Sequence, residues 1–148
     1  MIQADDVGVG VDLANLKRFR AIPEDRPFYD RVYSLREMEY CRGFSDPIPH
    51  LAAAFAAKEA VMKAIGIRHR ISMKEIEILH DEHGAPFVES PLATHRVLVS
   101  LTHTEDYAAA VALALPAEGS LGEKHGRKLL NSMVSDLAHR SDDIDEQL

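Results

Sequence analysis

From Val7 to Leu13 the chain alternates with a period of two: Val7, Val9, Val11 and Leu13 point one way, Gly8, Gly10 and Asp12 the other. The valines favour a strand. The glycines leave the second face bare, so another element can come close to the backbone there, and Asp12 projects from that open side near the strand's end. Leu16 and Phe19 then switch to helical spacing, with Lys17 and Arg18 turned outward. Ser34-Leu35-Arg36-Glu37 has the form of a capping box and predicts a helix to about Arg42. After the break at Pro47 and Pro49, a strongly helix-favouring stretch runs from about His50 to Ile65 and stops at Gly66. Ile76 and Ile78 alternate with Glu75 and Glu77, Asp81-Glu82-His83-Gly84 reads as a turn, and Ala85 to Val88 completes a hairpin. Val97, Val99 and Leu101 alternate again. Residues 103–106 turn the chain into Tyr107 to Leu115, a buried strand whose alanines also permit a helix, and Pro116 stops it. Beyond it, Leu130, Met133, Val134 and Leu137 lie at helical spacing in a polar tail, read as an added helix with a frayed acidic end. The order of elements points to an α+β fold: a domain over residues 1–115, then a partly helical C-terminal extension over 116–148.

Composition narrows the classes. The chain has 148 residues, 46% apolar and 28% charged. A chain of that size buries roughly 68–70% of its unfolded surface, which excludes wholesale disorder. The longest apolar run, Tyr107 to Ala117, falls short of the roughly 20 residues that span a bilayer. The start carries Asp5 and Asp6 where a signal peptide would be basic, and the single cysteine, Cys41, suits a reducing compartment, so a cytoplasmic protein away from the membrane is expected. The histidines show no zinc-ligand spacing. A net charge of −7 argues against a nucleic-acid partner. The charge is uneven, however. Residues 13–42 hold seven basic side chains (Lys17, Arg18, Arg20, Arg26, Arg31, Arg36, Arg42) against five acidic ones. That stretch is either an ordinary solvated face or a surface for an acidic partner.

The densest candidate chemistry lies in Phe55-Ala56-Ala57-Lys58-Glu59-Ala60-Val61-Met62-Lys63-Ala64. On a helix, Phe55, Glu59 and Lys63 share a face, and the small residues at 56, 57, 60 and 64 admit a close neighbour. Glu59 and Lys63 alone could be a surface ion pair. With Asp12 they become two carboxylates and a lysine, a set that suits Mg²⁺ bridged to phosphate, because Mg²⁺ takes one or two carboxylates and fills its octahedron with water and phosphate oxygens. Other signatures fail: Gly8-Val9-Gly10 lacks the third glycine of a dinucleotide fingerprint, no Gly-Lys-Ser/Thr follows it, and no Gly-x-Ser-x-Gly occurs. Taken alone, a histidine placed like His103 at a strand end is more often a structural hydrogen-bonder.

Taken in order, Gly8-Val9-Gly10-Val11-Asp12-Leu13, the Lys17-Arg18 segment, Phe55 to Ala64, Gly84-Ala85-Pro86, and Ser100-Leu101-Thr102-His103 leading to Tyr107-Ala108 resemble the holo-acyl-carrier-protein synthase family of 4′-phosphopantetheinyl transferases. The likeness spans about Val7 to Leu115. It implies a compact fold with an antiparallel sheet packed on a long central helix. It also implies transfer of the phosphopantetheine arm of coenzyme A to a serine of an apo acyl carrier protein, Mg²⁺-dependent, with release of 3′,5′-ADP. By the same resemblance Asp12 and Glu59 would hold Mg²⁺, and Lys58 and Lys63 would contact phosphate oxygens. Glu59, directly or through a water, would take the serine proton. His103 would sit by the phosphate or the start of the arm. Lys17, Arg18 and Arg20 would face the acidic carrier. Short members of the family are commonly homotrimers with sites between subunits. This chain departs from the family at Ala54, where arginine is frequent, at Gly66-Ile67-Arg68, where Gly-Thr-Gly is frequent, and mildly at Thr102. Arg68, His69 and Arg70 could compensate. The departures leave a second reading, a catalytically weak relative serving as a carrier-binding or assembly module. A different Mg²⁺-dependent phosphate enzyme would explain Asp12, Glu59 and Lys63 but not His103 or the basic stretch.

Overall fold

A computed structural model describes residues 2–66, 71–117 and 123–145, with side chains in the last segment described only over 126–137. The Arg68-His69-Arg70 compensation lies outside the described residues. Among the described residues, five strands and five α-helices follow in the order β1 (Gly8–Asn15), α1 (Leu16–Arg20), α2 (Pro27–Val32), α3 (Leu35–Arg42), α4 (Ile48–Ile65), β2 (Glu77–His80), β3 (Pro86–Glu89), β4 (His95–His103), β5 (Tyr107–Pro116) and α5 (Glu123–Asp145), with a short 3-10 turn at Met73–Glu75 before β2. The sheet runs β1-β5-β4, all antiparallel, and β2-β3 form a separate hairpin. The fold is α+β as expected, with α4 laid across the inner face of the sheet.

That packing follows from small side chains. Register pairs Gly8 with Ala114, Gly10 with Ala112 and Asp12 with Ala110. These inner positions meet a helix that is itself rich in alanine: Ala53, Ala56, Ala57, Ala60 and Ala64 are all buried. A Cβ added at Gly8 would collide with the Ala64 carbonyl, and one at Gly10 with the Ala60 carbonyl. The bare face anticipated at the glycines is therefore filled by the backbone of α4. The same constraint settles the ambiguity at residues 107–115: its alanines mark an inner strand, not a helix.

The helix ends obey local rules. Ser34 caps α3: its hydroxyl oxygen accepts from Glu37 N–H at 3.3 Å, and Glu37 returns the favour to Ser34 N–H at 2.8 Å. Gly66 ends α4 at φ 96°, a left-handed conformation that glycine takes without strain. Helix α4 begins two residues earlier than His50, at Ile48, because a proline is tolerated in the first turn. Helix α2, which hydrophobic periodicity did not signal, also starts on a proline, and its Phe28 and Tyr29 join Phe19, Tyr33 and Phe55 in an aromatic cluster of mainly edge-to-face contacts. On the sheet's outer face Leu98, Val111, Leu113 and Leu115 are covered by Leu130 of α5. Of the apolar stripe read in the tail, Leu130 is buried and Val134 packs beside it, whereas Met133 and Leu137 are exposed. Helix α5 runs to Asp145, and the rest of the acidic end expected to fray lies outside the described residues.

Candidate active site

Asp12 lies on the inner face of β1, two residues beyond the close approach of α4 at Gly10. One helical turn beyond Ala60, Lys63 reaches back to the strand. Its ammonium donates to Asp12 Oδ1 at 2.8 Å and to the Val11 carbonyl at 2.9 Å. Lys63 thus pairs with the strand carboxylate rather than with Glu59 on its own helix, so the surface-pair reading of Glu59 and Lys63 does not describe this site. Glu59, one turn back, is half-buried and close enough to feel both groups. Burial pushes its carboxyl above the ordinary glutamate range, the Asp12 carboxylate adds to that push, and Lys63 opposes it. Two mutually repelling carboxylates thus lie near one lysine, whose side chain is exposed. Hard oxygen donors in that number fit Mg²⁺, which leaves the rest of its shell to water and phosphate.

Lys58 lies elsewhere, and here the expectation is corrected. It is fully buried, with its ammonium 2.6 Å from Glu37 Oε2, 2.6 Å from the Val32 carbonyl and 2.8 Å from the Met73 carbonyl. All three N–H donors are used inside the protein, leaving none for a phosphate. Glu37, also buried, accepts from Ser34 N–H and Ile78 N–H, both at 2.8 Å. Burial pulls the Lys58 ammonium below its ordinary value and the Glu37 carboxylate opposes the pull. The pair ties α2, α3, α4 and the start of the hairpin together. Sequence reasoning saw Glu37 only as a capping residue.

His103 ends β4. The register carries the row of Asp12 through Ala110 to Leu101, so His103 stands on the same inner face two residues farther along and two strands over, roughly 10 Å sideways. Lys17 and Arg18 are exposed on α1. Arg20 is exposed too, but its guanidinium grips Asp46 through bonds of 3.2 and 2.7 Å. Sequence reasoning also missed a pocket beside His103 between α3, α4 and the hairpin, lined by Tyr40, His50 and His80 among others. Those residues sit on three separate elements, so no local spacing linked them.

With this geometry established, the relatives are informative. The family model of the 4′-phosphopantetheinyl transferase superfamily matches residues 8–112. A holo-(acyl-carrier-protein) synthase of Caldanaerobacter subterraneus is 37% identical over 126 residues, covering 78% of this chain and 99% of the relative. This chain belongs to the holo-(acyl-carrier-protein) synthase family of 4′-phosphopantetheinyl transferases. The Aquifex aeolicus family member is 41% identical over 115 residues, covering 70% of this chain and 94% of its own. Among solved structures, the Bacillus anthracis synthase in complex with CoA (3′,5′-ADP) superposes with a TM-score of 0.67 at 28% identity, over 74% of this chain and 96% of that one. The Neisseria meningitidis synthase gives 0.64 at 32% identity, over 72% and 96%. The matched family model begins at the start of β1 and ends within β5.

Proposed function

We propose that the chain moves the 4′-phosphopantetheine arm of coenzyme A onto a serine of an acidic apo acyl carrier protein, with Mg²⁺, and releases 3′,5′-ADP. The observation that carries this reading is the Asp12–Lys63 contact beside Glu59, set within the family fold. Asp12 and Glu59 are the residues that would hold Mg²⁺, which supplies charge neutralisation on the pyrophosphate. Lys63 can turn from Asp12 toward a phosphate oxygen. The serine hydroxyl attacks the phosphorus bearing the arm, and a new P–O bond forms as the bond to the departing nucleotide phosphate breaks. The serine proton passes to Glu59, directly or through a water. His103 stands toward the phosphates or the start of the arm. Such a transfer asks mainly for positioning and neutralised charge, which this set provides without a covalent intermediate.

Lys17 and Arg18, with Arg20 beside them, are the docking surface for the carrier. The reaction belongs in the cytoplasm, and no described helix is long and apolar enough to cross a membrane. A homotrimer is supported by the outer face of β1, where Val9, Val11 and Leu13 are 53%, 56% and 63% exposed in a row, an apolar stripe that a second copy would cover. The test is incubation with coenzyme A, Mg²⁺ and a panel of apo carriers, read by intact mass. The arm should appear on at least one carrier and be absent with Glu59→Ala; no added mass on any carrier sinks the reading.

A further inference from the structure

Helix α5 follows the residues that the family model matches, and its own sheet uses only part of its apolar face. Near its start the helix backbone is pressed onto the outer face of the sheet. A Cβ added at Gly126 would come within 2.7 Å of Leu115 and 2.9 Å of Leu98, so glycine is what lets α5 lie this close. Leu130, one turn on, is buried against Leu98, Val111, Leu113 and Leu115, and Val134 packs beside it. The rest of the face stays in solvent: Leu129, Met133 and Leu137, at i, i+4 and i+8, are 43%, 42% and 55% exposed.

The sheet leaves a second apolar row open. Val9 pairs with Leu113 and Val11 with Val111, so the exposed β1 row lies on the same outer face, one strand beyond the residues α5 covers. That face is three strands wide, and α5 rests on β4 and β5. Val9, Val11 and Leu13 are each more than half exposed, so a chain's own α5 does not cover its own β1. The two open rows fit each other. Alternate strand residues recur at about 6.6–6.8 Å and every fourth helix residue at about 6 Å, so three side chains of one row can lie over three of the other. Charge selects the direction. Exposed Asp5 and Asp6 precede the β1 row and exposed Lys17 follows it, whereas exposed Lys128 opens the α5 row and exposed Asp136 closes it. A helix running the same way as β1 sets Lys128 toward the two aspartates and Asp136 toward Lys17. The reverse direction sets Asp136 toward the aspartates.

We propose that α5 of one copy seats Leu129, Met133 and Leu137 on the exposed β1 row of a second copy, running the same way as that strand. The inference rests on the homotrimer of the proposed function and names the segment that covers its β1 row. Because helix row and strand row are different surfaces of the chain, the contact is heterologous. Each copy gives its helix to one neighbour and takes a helix from the other. Contacts of this kind generate a ring when the rotation closes, and a trimer is a ring in which every row is covered.

The test co-expresses two differently tagged copies, one carrying Val9→Cys and the other Met133→Cys, and treats the purified protein with bismaleimidoethane, a short thiol-to-thiol linker. The native Cys41 is buried and does not compete. A product joining the two tags should form, and neither variant alone should give it with itself. Val7→Cys should link to Leu129→Cys in preference to Leu137→Cys; the opposite preference overturns the direction. Separately, sedimentation of Met133→Lys/Leu137→Lys should show the dissociation constant of the assembly raised by at least about tenfold, as when interface anchors are removed, with the helix signal in circular dichroism retained. A stable trimer that gives no Val9→Cys to Met133→Cys link, or one unmoved by the two lysines, overturns the α5 contact and leaves the trimer standing. A link found in a dimer overturns the ring and leaves the contact. A parent chain that sediments as a monomer at all concentrations overturns both, while phosphopantetheine transfer, read by intact mass, decides the reaction independently.

Discussion

Replacing Lys58 by methionine separates two roles for one residue. In the structure its ammonium satisfies Glu37, the Val32 carbonyl and the Met73 carbonyl with no exposed surface. Lys58→Met keeps the volume and removes the charge. It leaves a buried carboxylate that retains only the Ser34 and Ile78 amides, and two carbonyls without their donor. Removing one member of a buried pair costs about 3–5 kcal/mol. The lost carbonyl bonds overlap with that figure, and the methionine's apolar contacts return some of it, so ~3–5 kcal/mol stands as the whole effect. At ~2–4 °C per kcal/mol for a chain near this length, the melting temperature should fall by about 6–20 °C. Glu37→Gln/Lys58→Met removes both charges and should melt above Lys58→Met alone. The assay is thermal and urea melting of the three variants, with the rise in melting temperature from saturating coenzyme A measured on each. Because Lys58 touches no ligand in this reading, that rise persists in Lys58→Met. A variant that melts within ~2 °C of the parent but no longer responds to coenzyme A would refute the argument and restore Lys58 to the phosphate site.

Glu59→Gln should lower transfer by at least ~100-fold while the fold survives, as expected when a general base is removed. In the metal-free protein an NMR titration should find the Glu59 carboxyl above the ordinary glutamate range, because burial and then Asp12 raise it. That shift fixes the sign for stability: a raised carboxyl detracts once ionised, so Glu59→Gln without Mg²⁺ should melt no lower than the parent at neutral pH, and any gain should vanish in acid. Arg18→Glu, on the exposed face of α1, should leave the melting temperature and the KM for coenzyme A unchanged, raise the KM for the carrier, and flatten its dependence on salt. Gly10→Ala should destabilise by ~1–3 kcal/mol, the usual cost of overpacking, and impair transfer, whereas Gly8→Ala, farther from Asp12, should cost similar stability with a smaller loss of rate.

Much of the fold was legible because local chemistry and global packing agree. The alternation of β1, the Ser34–Glu37 box, the alanine-rich helix closed by Gly66, and the hairpin around Gly84 each state their own geometry. Helix α2 was not legible, since six residues hold too little periodicity and only Pro27 marked its start. At the site, Asp12, Glu59 and Lys63 could be paired from face assignments alone, because a strand and a helix each expose one face to the other. Lys58 could not be placed that way. It adjoins Glu59 in sequence but is turned about 100° around the helix, and which side of α4 meets solvent depends on how α2 and α3 wrap it. The His50, His80 and Tyr40 pocket was invisible for a related reason: its members meet only through tertiary register.

The small residues of β1 and α4 do more than allow packing. Side chains of ordinary size between a sheet and a helix would hold Lys63 away from β1. With glycine at 8 and 10 and alanine at 60 and 64, the helix backbone comes down until the lysine reaches both the Val11 carbonyl and Asp12. The two carboxylates then lie close enough for Asp12 to raise the proton affinity of Glu59. Distance sets that coupling, because the repulsion of two charges falls as their separation grows. The layer of small core residues therefore also sets the coupling of the two carboxylates, and in the metal-free protein any substitution that lifts α4 from β1 should bring the Glu59 carboxyl, followed by NMR titration, back toward its ordinary range even where Glu59 itself is untouched.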